Sequence, residues 1–280
     1  MKINIAKSSG FCFGVRRAIN ISRSVADKKK KAYVLGDIVH NSFVVNDLKK
    51  EGIKKIASIR HNPNSTLIIR AHGAPKKVFQ KARSSGYKIV DATCPKVKEI
   101  YLRAKRLEKT NKIIIIGDNN HAEVKGIAGQ LKTRPITIDS VKSIAKKKLS
   151  RIKKAAVITQ STQTIDNINE IMTRLEQIIP KIKLYDTTCR TTRIKQKEIK
   201  ILPKKNDIML IIGSKTSANT KRLYQISKSL NKQTHWIESA GDLNVKWFKN
   251  AGNTGIMAGA STPDYITNKV VERINRLAKK

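Results

Sequence analysis

No apolar run in the 280 residues approaches the roughly 18 to 20 needed to cross a bilayer, so no transmembrane helix is expected. The opening MKINIAKSSGFCFG has no continuous apolar stretch, which predicts no signal peptide and a cytoplasmic protein. Cysteine is scarce. Three thiols cannot all pair within one chain, and without a secretion signal a disulfide framework is not expected. There is no C-x-x-C pair, the usual mark of structural zinc, and no G-x-G-x-x-G dinucleotide fingerprint. Aromatics make up only 5%, so stacking platforms for bases are few. Acidic residues number 20 against 59 basic ones, a formal charge of +39. Such a charge points first to nucleic acid. The lysines, however, run along the whole chain, as in KKKK at 28–31, KKK at 146–148 and KIK at 181–183. They lie in an isoleucine- and asparagine-rich background typical of A/T-rich codons, so no specific nucleic-acid partner is expected. A positive surface still speeds the arrival of an anionic small molecule.

What is present is a 39% hydrophobic content arranged in short β-branched runs between helical patterns, enough for a packed core. Strands are expected at Lys2–Ile5, Ala32–Leu35, Thr66–Ile69, Tyr87–Val90, Lys112–Ile116, Ala155–Ile158, Ile182–Tyr185, Asp207–Ile212, Thr234–Ile237 and Thr254–Ala258. Helices are expected at 14–26, 75–84, 96–109, 164–179, 217–230 and 264–278. This alternation predicts parallel α/β sheets, which bind ligands beyond the carboxyl ends of their strands.

The strand ends repeat. YKIVDATCP and KLYDTTCR both place Asp-x-Thr-Cys after an apolar run, and Cys12 follows INIAKSSGF. Cys12, Cys94 and Cys189 stand 82 and 95 residues apart. Gly36, Gly117 and Gly213 close further apolar runs 24, 23 and 24 residues after the preceding cysteine. Four residues beyond each glycine is a hydrogen-bonding side chain: His40, His121 and Ser217. A third polar cluster recurs at RAHG (His72), TQST (Ser161, Thr162) and GAST (Ser261, Thr262). The repeat predicts three similar α/β domains with mainly parallel sheets, in a pseudo-threefold trefoil around a central cavity. Their expected bounds are 14–94, 95–186 and 187–280, joined by an N-terminal segment 1–13. His61 and His235 fall outside the pattern and read as surface or core residues.

A lone cysteine is most often a small core hydrophobe. Three at equivalent strand ends can instead converge on a metal. Zinc, in a hydrolase of a phosphorylated metabolite, is one alternative. A basic nucleic-acid-binding protein is another. An iron–sulfur cluster is the third, and with three thiolates one iron lacks a protein ligand. Histidines and hydroxyls around the same cavity suit an anionic ligand.

The ordered set SGFCFGVRRA, VHN (39–41), AHG (71–73), DATCP (91–95), HAEVKG (121–126), TQST (159–162), DTTCRTTRIKQ (186–196), GSKTSANTKRL (213–223) and GASTPD (259–264) resembles the LytB/IspH family over essentially the full length. The resemblance implies a trefoil around a 4Fe–4S cluster held by Cys12, Cys94 and Cys189, with one open iron. It implies reductive dehydroxylation of 4-hydroxy-3-methylbut-2-enyl diphosphate to isopentenyl and dimethylallyl diphosphate, the last step of the non-mevalonate isoprenoid pathway. His40, His72, His121, Ser217, Asn219 and Ser261 would hold the diphosphate, Ser161 would be a hydroxyl neighbour, and Glu123 would deliver the proton. Read on its own, Glu123 has a lesser alternative as a helix-start acid favoured by the macrodipole, which is compatible with catalysis. Electrons would come from a flavodoxin or ferredoxin, to a monomer or homodimer. The chain departs from the family pattern at Ala122 for proline, Ser161 for threonine, Ala218 for serine and Lys195 for arginine. Thr188 and Thr191 replace smaller or apolar residues.

If the net charge mainly reflects codon bias, salt acts only on the encounter with an acidic protein donor, and turnover with that donor falls as salt rises because screening shortens the reach of the field. Turnover with a small neutral reductant changes little over the same range. Steady-state rates with both reductants across a salt series test this, and equal salt sensitivity refutes it.

Overall fold

The computed structural model describes residues 1–27 and 31–277. Lys28–Lys30 of the KKKK run and Ala278, where the last expected helix ended, lie outside the described residues, as does the side chain of Lys148. The fold is α/β, with three four-stranded sheets, all parallel. The first contains β1 (Lys2–Ile5), which leads the chain, and closes with strands from its far end. The second contains β2 (Ala32–Leu35), β3 (Ile53–Ile56), β4 (Thr66–Ile69) and β5 (Lys88–Asp91), in the order β3-β2-β4-β5. The third contains β6 (Lys112–Ile116), β7 (Ile136–Ile138), β8 (Lys154–Thr159) and β9 (Lys181–Tyr185), in the order β7-β6-β8-β9. β10 (Ile208–Ile212), β11 (Thr234–Ile237) and β12 (Asn253–Ala258) complete the sheet of β1, in the order β1-β12-β10-β11.

The three sheets therefore share one strand order, second-first-third-fourth. In the β10–β12 sheet the fourth position is filled by β1, from the other end of the chain. The helices are α1 (Phe13–Ala26), α2 (Ser42–Lys50), α3 (Lys76–Ser84), α4 (Pro95–Glu108), α5 (Ala122–Ala128), α6 (Lys146–Leu149), α7 (Ile165–Glu176), α8 (Arg190–Ile199), α9 (Ala218–Leu230) and α10 (Asp264–Leu277).

The chain forms two compact units. One comprises Met1–Arg16, Val39–Asn46 and the chain from Arg190 onward; the other comprises Arg17–Ile38 and Asp47–Cys189. The first holds the β1–β12–β10–β11 sheet, the second the other two sheets. The central strands read as unbroken apolar runs because both faces are covered, as parallel sheets require. All of Ile113–Ile116 and Ile208–Ile212 are buried, the former between α4 and α7 side chains such as Ile100 and Ile171, the latter against Leu223 and Val270.

All ten expected strands are present, with ends shifted by at most one residue. The edge strands β3 and β7 are additional. IKKI has lysines where alternation would need apolar residues, and ITI is only three residues long. Helices α2, α5, α6 and α8 are also additional. α8 has no apolar stripe to read: its buried residues are Thr192, Lys195, Gln196 and Ile199. α7 ends at Glu176 rather than 179 although Ile178 and Ile179 continue its pattern, because the residue before Pro180 is excluded from helical geometry.

Gly73 shows how tightly the strand ends are packed. Its φ of +75° favours glycine, and a Cβ there would overlap the Tyr101 hydroxyl; a Cβ on Gly126 would overlap the same hydroxyl. Gly73→Ala is expected to lower stability by about 1–3 kcal/mol, read as a fall in Tm. Tyr101→Phe in the same background recovers part of the loss. An undiminished Tm for Gly73→Ala would show that the Tyr101 side chain yields freely.

Candidate active site

Each cysteine follows the fourth strand of its sheet and stands immediately before a helix: Cys12 before α1, Cys94 before α4, Cys189 before α8. Each is fixed by the same bond. The Cys12 N–H donates to Ala260 O (3.1 Å), that of Cys94 to Ala71 O (3.0 Å) and that of Cys189 to Ser161 O (2.9 Å). In every case the acceptor lies two residues past the third strand of that sheet. The carbonyls of Cys12 and Cys94 accept the first helical bonds, from Arg16 (3.0 Å) and Lys98 (3.1 Å). The Val15 N–H points at Cys12 Sγ (3.4 Å). Helix N-termini favour thiolate over thiol, the form that binds metal. All three cysteines are half-buried and none is in a disulfide. The donor set therefore fits a thiolate-ligated metal group. Exposed Lys96 feels the charge of Cys189 and Cys94; its proton affinity is raised mainly by its pairing with Glu99 and slightly by these thiols.

In the unit containing Cys94 and Cys189, Glu123 is the striking acid only in its surroundings: it is 2% exposed on the first turn of α5. Its Oε1 accepts from the Ser161 N–H and its Oε2 from the Ser161 hydroxyl, both at 2.6 Å. The residue whose carbonyl holds Cys189 thus also holds the carboxylate. His121 caps α5, its Nδ1 accepting from the Glu123 N–H (3.1 Å). The ring proton consequently sits on Nε2, which is a donor. The His121 ring stands edge-on to that of His72, with centroids 5.4 Å apart. Below His72, the Tyr101 hydroxyl donates to its carbonyl (3.4 Å); burial, with Glu123 and Asp91 nearby, holds that phenol above its ordinary pKa. Gln160 joins the loops, accepting from Asp118 N–H (2.8 Å) and donating to Thr162 Oγ1 (2.9 Å). Thr159 and Thr187 exchange hydrogen bonds beneath Cys189, and Thr188 N–H donates to Asp186 Oδ1 (2.9 Å).

In the unit containing Cys12, the Ser261 hydroxyl donates to His40 O (3.0 Å). Ser217 caps α9, its Oγ accepting from Thr220 N–H (3.3 Å). Asn219, 7% exposed on the first turn of α9, has a buried Nδ2 with no hydrogen-bond partner among the described residues. An amide near a helix N-terminus is a donor of the kind that binds anions. Outside these groups, His61 is exposed and His235 stacks on Trp247 at 3.8 Å, burial lowering its pKa. Sequence reasoning noted Lys195 only as standing where the family pattern has arginine; it is 1% exposed on α8, and burial pushes its ammonium down to about 8.

Thiols at three helix heads, each anchored to a strand end, are of the kind that iron–sulfur chemistry uses. Comparison with known proteins agrees. Residues 3–275 match the LytB protein family. A 4-hydroxy-3-methylbut-2-enyl diphosphate reductase of Geobacter metallireducens is 34% identical, covering 99% of this chain and 98% of that one. A solved structure described as (E)-4-hydroxy-3-methyl-but-2-enyl diphosphate reductase, the terminal enzyme of the non-mevalonate pathway, is 35% identical, with a TM-score of 0.72 over 99% of this chain and 100% of that one. The E-1-hydroxy-2-methyl-but-2-enyl-4-diphosphate reductase of Plasmodium falciparum is 28% identical, with a TM-score of 0.89 over 97% of this chain and 87% of that one. The chain belongs to the LytB/IspH family of iron–sulfur oxidoreductases. The zinc-hydrolase and nucleic-acid readings are not favoured by this membership, and no helix among the described residues is long and apolar enough to cross a membrane.

Ser161→Ala removes the hydroxyl hydrogen bond to a buried carboxylate, so a loss of about 1.5–3 kcal/mol is expected. Ser161→Thr, which keeps the hydroxyl, is expected to lose little. Denaturant unfolding of both variants tests the contact, and equal stability of Ser161→Ala and wild type would remove it from the account.

Proposed function

We propose that Cys12, Cys94 and Cys189 together ligate a 4Fe–4S cluster with one open iron, and that the chain carries out the family's reaction. In that reaction the allylic hydroxyl of 4-hydroxy-3-methylbut-2-enyl diphosphate leaves as water, consuming two electrons and two protons, to give isopentenyl and dimethylallyl diphosphate. The observation that carries the reading is the bond made three times over, each cysteine N–H to the carbonyl two residues past its neighbouring strand. When bound, the cluster supplies the electrons, which no side chain can do. The chain's own residues bind, orient and protonate.

The diphosphate falls to His40, His72, His121, Ser217, Asn219 and Ser261. The Nε2–H of His121 and the unpartnered Asn219 amide at the head of α9 are donors of the right kind for phosphate oxygens. Fixing the anionic end holds the carbon chain in one pose. Glu123 delivers the proton to the departing oxygen. Ser161, whose hydroxyl donates to Glu123 Oε2, is its hydroxyl neighbour in this reading. The proposed domains are 14–94, 95–186 and 187–280, with 1–13 joining them; β1, within that segment, completes the sheet of the last. The electron donor in this reading is an acidic flavodoxin or ferredoxin, the enzyme a cytoplasmic monomer or homodimer.

Cys12→Ser, Cys94→Ser and Cys189→Ser are each expected to lose iron, acid-labile sulfide and activity in anaerobically prepared protein. Glu123→Gln is expected to keep the cluster and substrate affinity while kcat falls by about 10²- to 10⁴-fold. Full activity in a cysteine variant removes that residue from the ligand set, and a normal kcat for Glu123→Gln removes the acid.

A further inference from the structure

α8 is polar apart from Ile194 and Ile199, yet Lys195 in its middle is more deeply buried than most of the chain's leucines. Lysines are almost never fully buried unless paired. No carboxylate forms an ion pair with Lys195 among the described residues. Its Nζ donates instead to two backbone carbonyls, Ser8 O and, at 3.2 Å, Ala258 O. One turn further along α8, Glu198 holds the same segment: Oε1 accepts from Lys7 N–H (2.5 Å), and Oε2 from Ser8 N–H (2.9 Å) and the Ser8 hydroxyl (2.6 Å). On its other side the segment is bonded to the end of β12. The Gly10 N–H donates to Ala258 O (3.2 Å), the Ala258 N–H to Ser9 Oγ (2.7 Å) and the Cys12 N–H to Ala260 O. The stretch from Lys7 to Cys12 is thus clamped between α8 and β12, with an ammonium beneath it.

Two carbonyls need donors, but a neutral side chain could supply those. What only a cation provides is charge. Burial works against that charge, and the group that most favours it is Cys12, ahead of Glu198 and Asp264. A thiolate-ligated cluster is an anionic centre that becomes more so on reduction, and nearby positive charge in a low-dielectric setting favours the added electron.

We propose that Lys195 is the buried counter-charge of the cluster at Cys12: a positioning residue that fixes the Lys7–Cys12 segment and raises the cluster's reduction potential. The proposal rests on Cys12 being a cluster ligand. The Lys195 ammonium touches neither substrate nor reacting atoms in this account. It acts through the segment it holds and the field it sets.

The test is a potentiometric titration of the anaerobically assembled holoenzyme, followed by electron paramagnetic resonance, in wild type, Lys195→Gln and Lys195→Arg. Each couple is the one-electron reduction of the cluster, with the electron supplied by the titrant through mediators. Gln keeps a hydrogen-bond donor and loses the charge; Arg keeps both. Lys195→Gln is expected to move the equilibrium about tenfold towards the oxidised form, about 59 mV more negative, and Lys195→Arg to stay close to wild type. Loss of iron and sulfide from Lys195→Gln with retention in Lys195→Arg also supports the proposal, since charge then decides whether the anionic centre is held. An unchanged potential in Lys195→Gln, an equal shift in both variants, or equal cluster loss from both, overturns it. A wild-type protein that holds no cluster overturns the ligand assignment, and this inference with it.

Discussion

A hydrogen bond from a cysteine N–H to a carbonyl just past the neighbouring parallel strand is the constraint on which the rest depends. It is made once per sheet, by Cys12, Cys94 and Cys189, at 2.9–3.1 Å. Two things follow from it. The thiol is tied to a rigid sheet edge rather than to a loose loop, and the chain must turn at once into a helix whose N-terminus faces the sulfur. A parallel sheet provides this because its strands all end on one edge, so a fourth strand delivers a cysteine beside the carbonyl left by the third. The β1–β12 pairing extends the arrangement to Cys12. Without it the last sheet would lack its fourth strand and its thiol.

The same strand-end carbonyls and hydroxyls also hold the buried carboxylate of Glu123. Ser161 gives its carbonyl to Cys189 and both its donors to Glu123, so the thiol and the carboxylate share one support. Glu123 in turn gives its backbone N–H to His121, which fixes the tautomer of that imidazole. Such sharing leaves little freedom for any member to move alone. It also explains why small residues crowd here: Gly73 and Gly126 clear the volume the Tyr101 hydroxyl occupies under the histidines.

Charge acts at two depths. The many exposed lysines are solvated and screened, and their influence is long-range and salt-dependent. Lys195 lies out of water, where one charge outweighs many on the surface. It and Glu198 form a single face of α8, opposite in sign and gripping consecutive peptide groups of the segment that leads to Cys12. A helix that looks like a solvated polar stretch is thereby a clamp.

The sequence by itself determined ten of the described strands, the parallel sheets and which residues stand at the strand ends. Apolar β-branched runs can only be covered strands, and Asp-x-Thr-Cys after two of them marked the thiols. Family motifs running in order from Cys12 to Ser261 named the chemistry. Tertiary structure alone decided the rest. β3 and β7 form because an edge strand needs only one partner, not an apolar pattern. α8 forms because its buried face is satisfied by carbonyls of a segment 187 residues away along the chain, as Lys195 and Ser8 show. The partner of Glu123 could not be read either, since 38 residues separate it from Ser161 and only the β6–β8 pairing brings their loops together. Local pattern encodes which residues prefer burial or extension; which polar groups satisfy one another in the interior is set by the packing of distant segments.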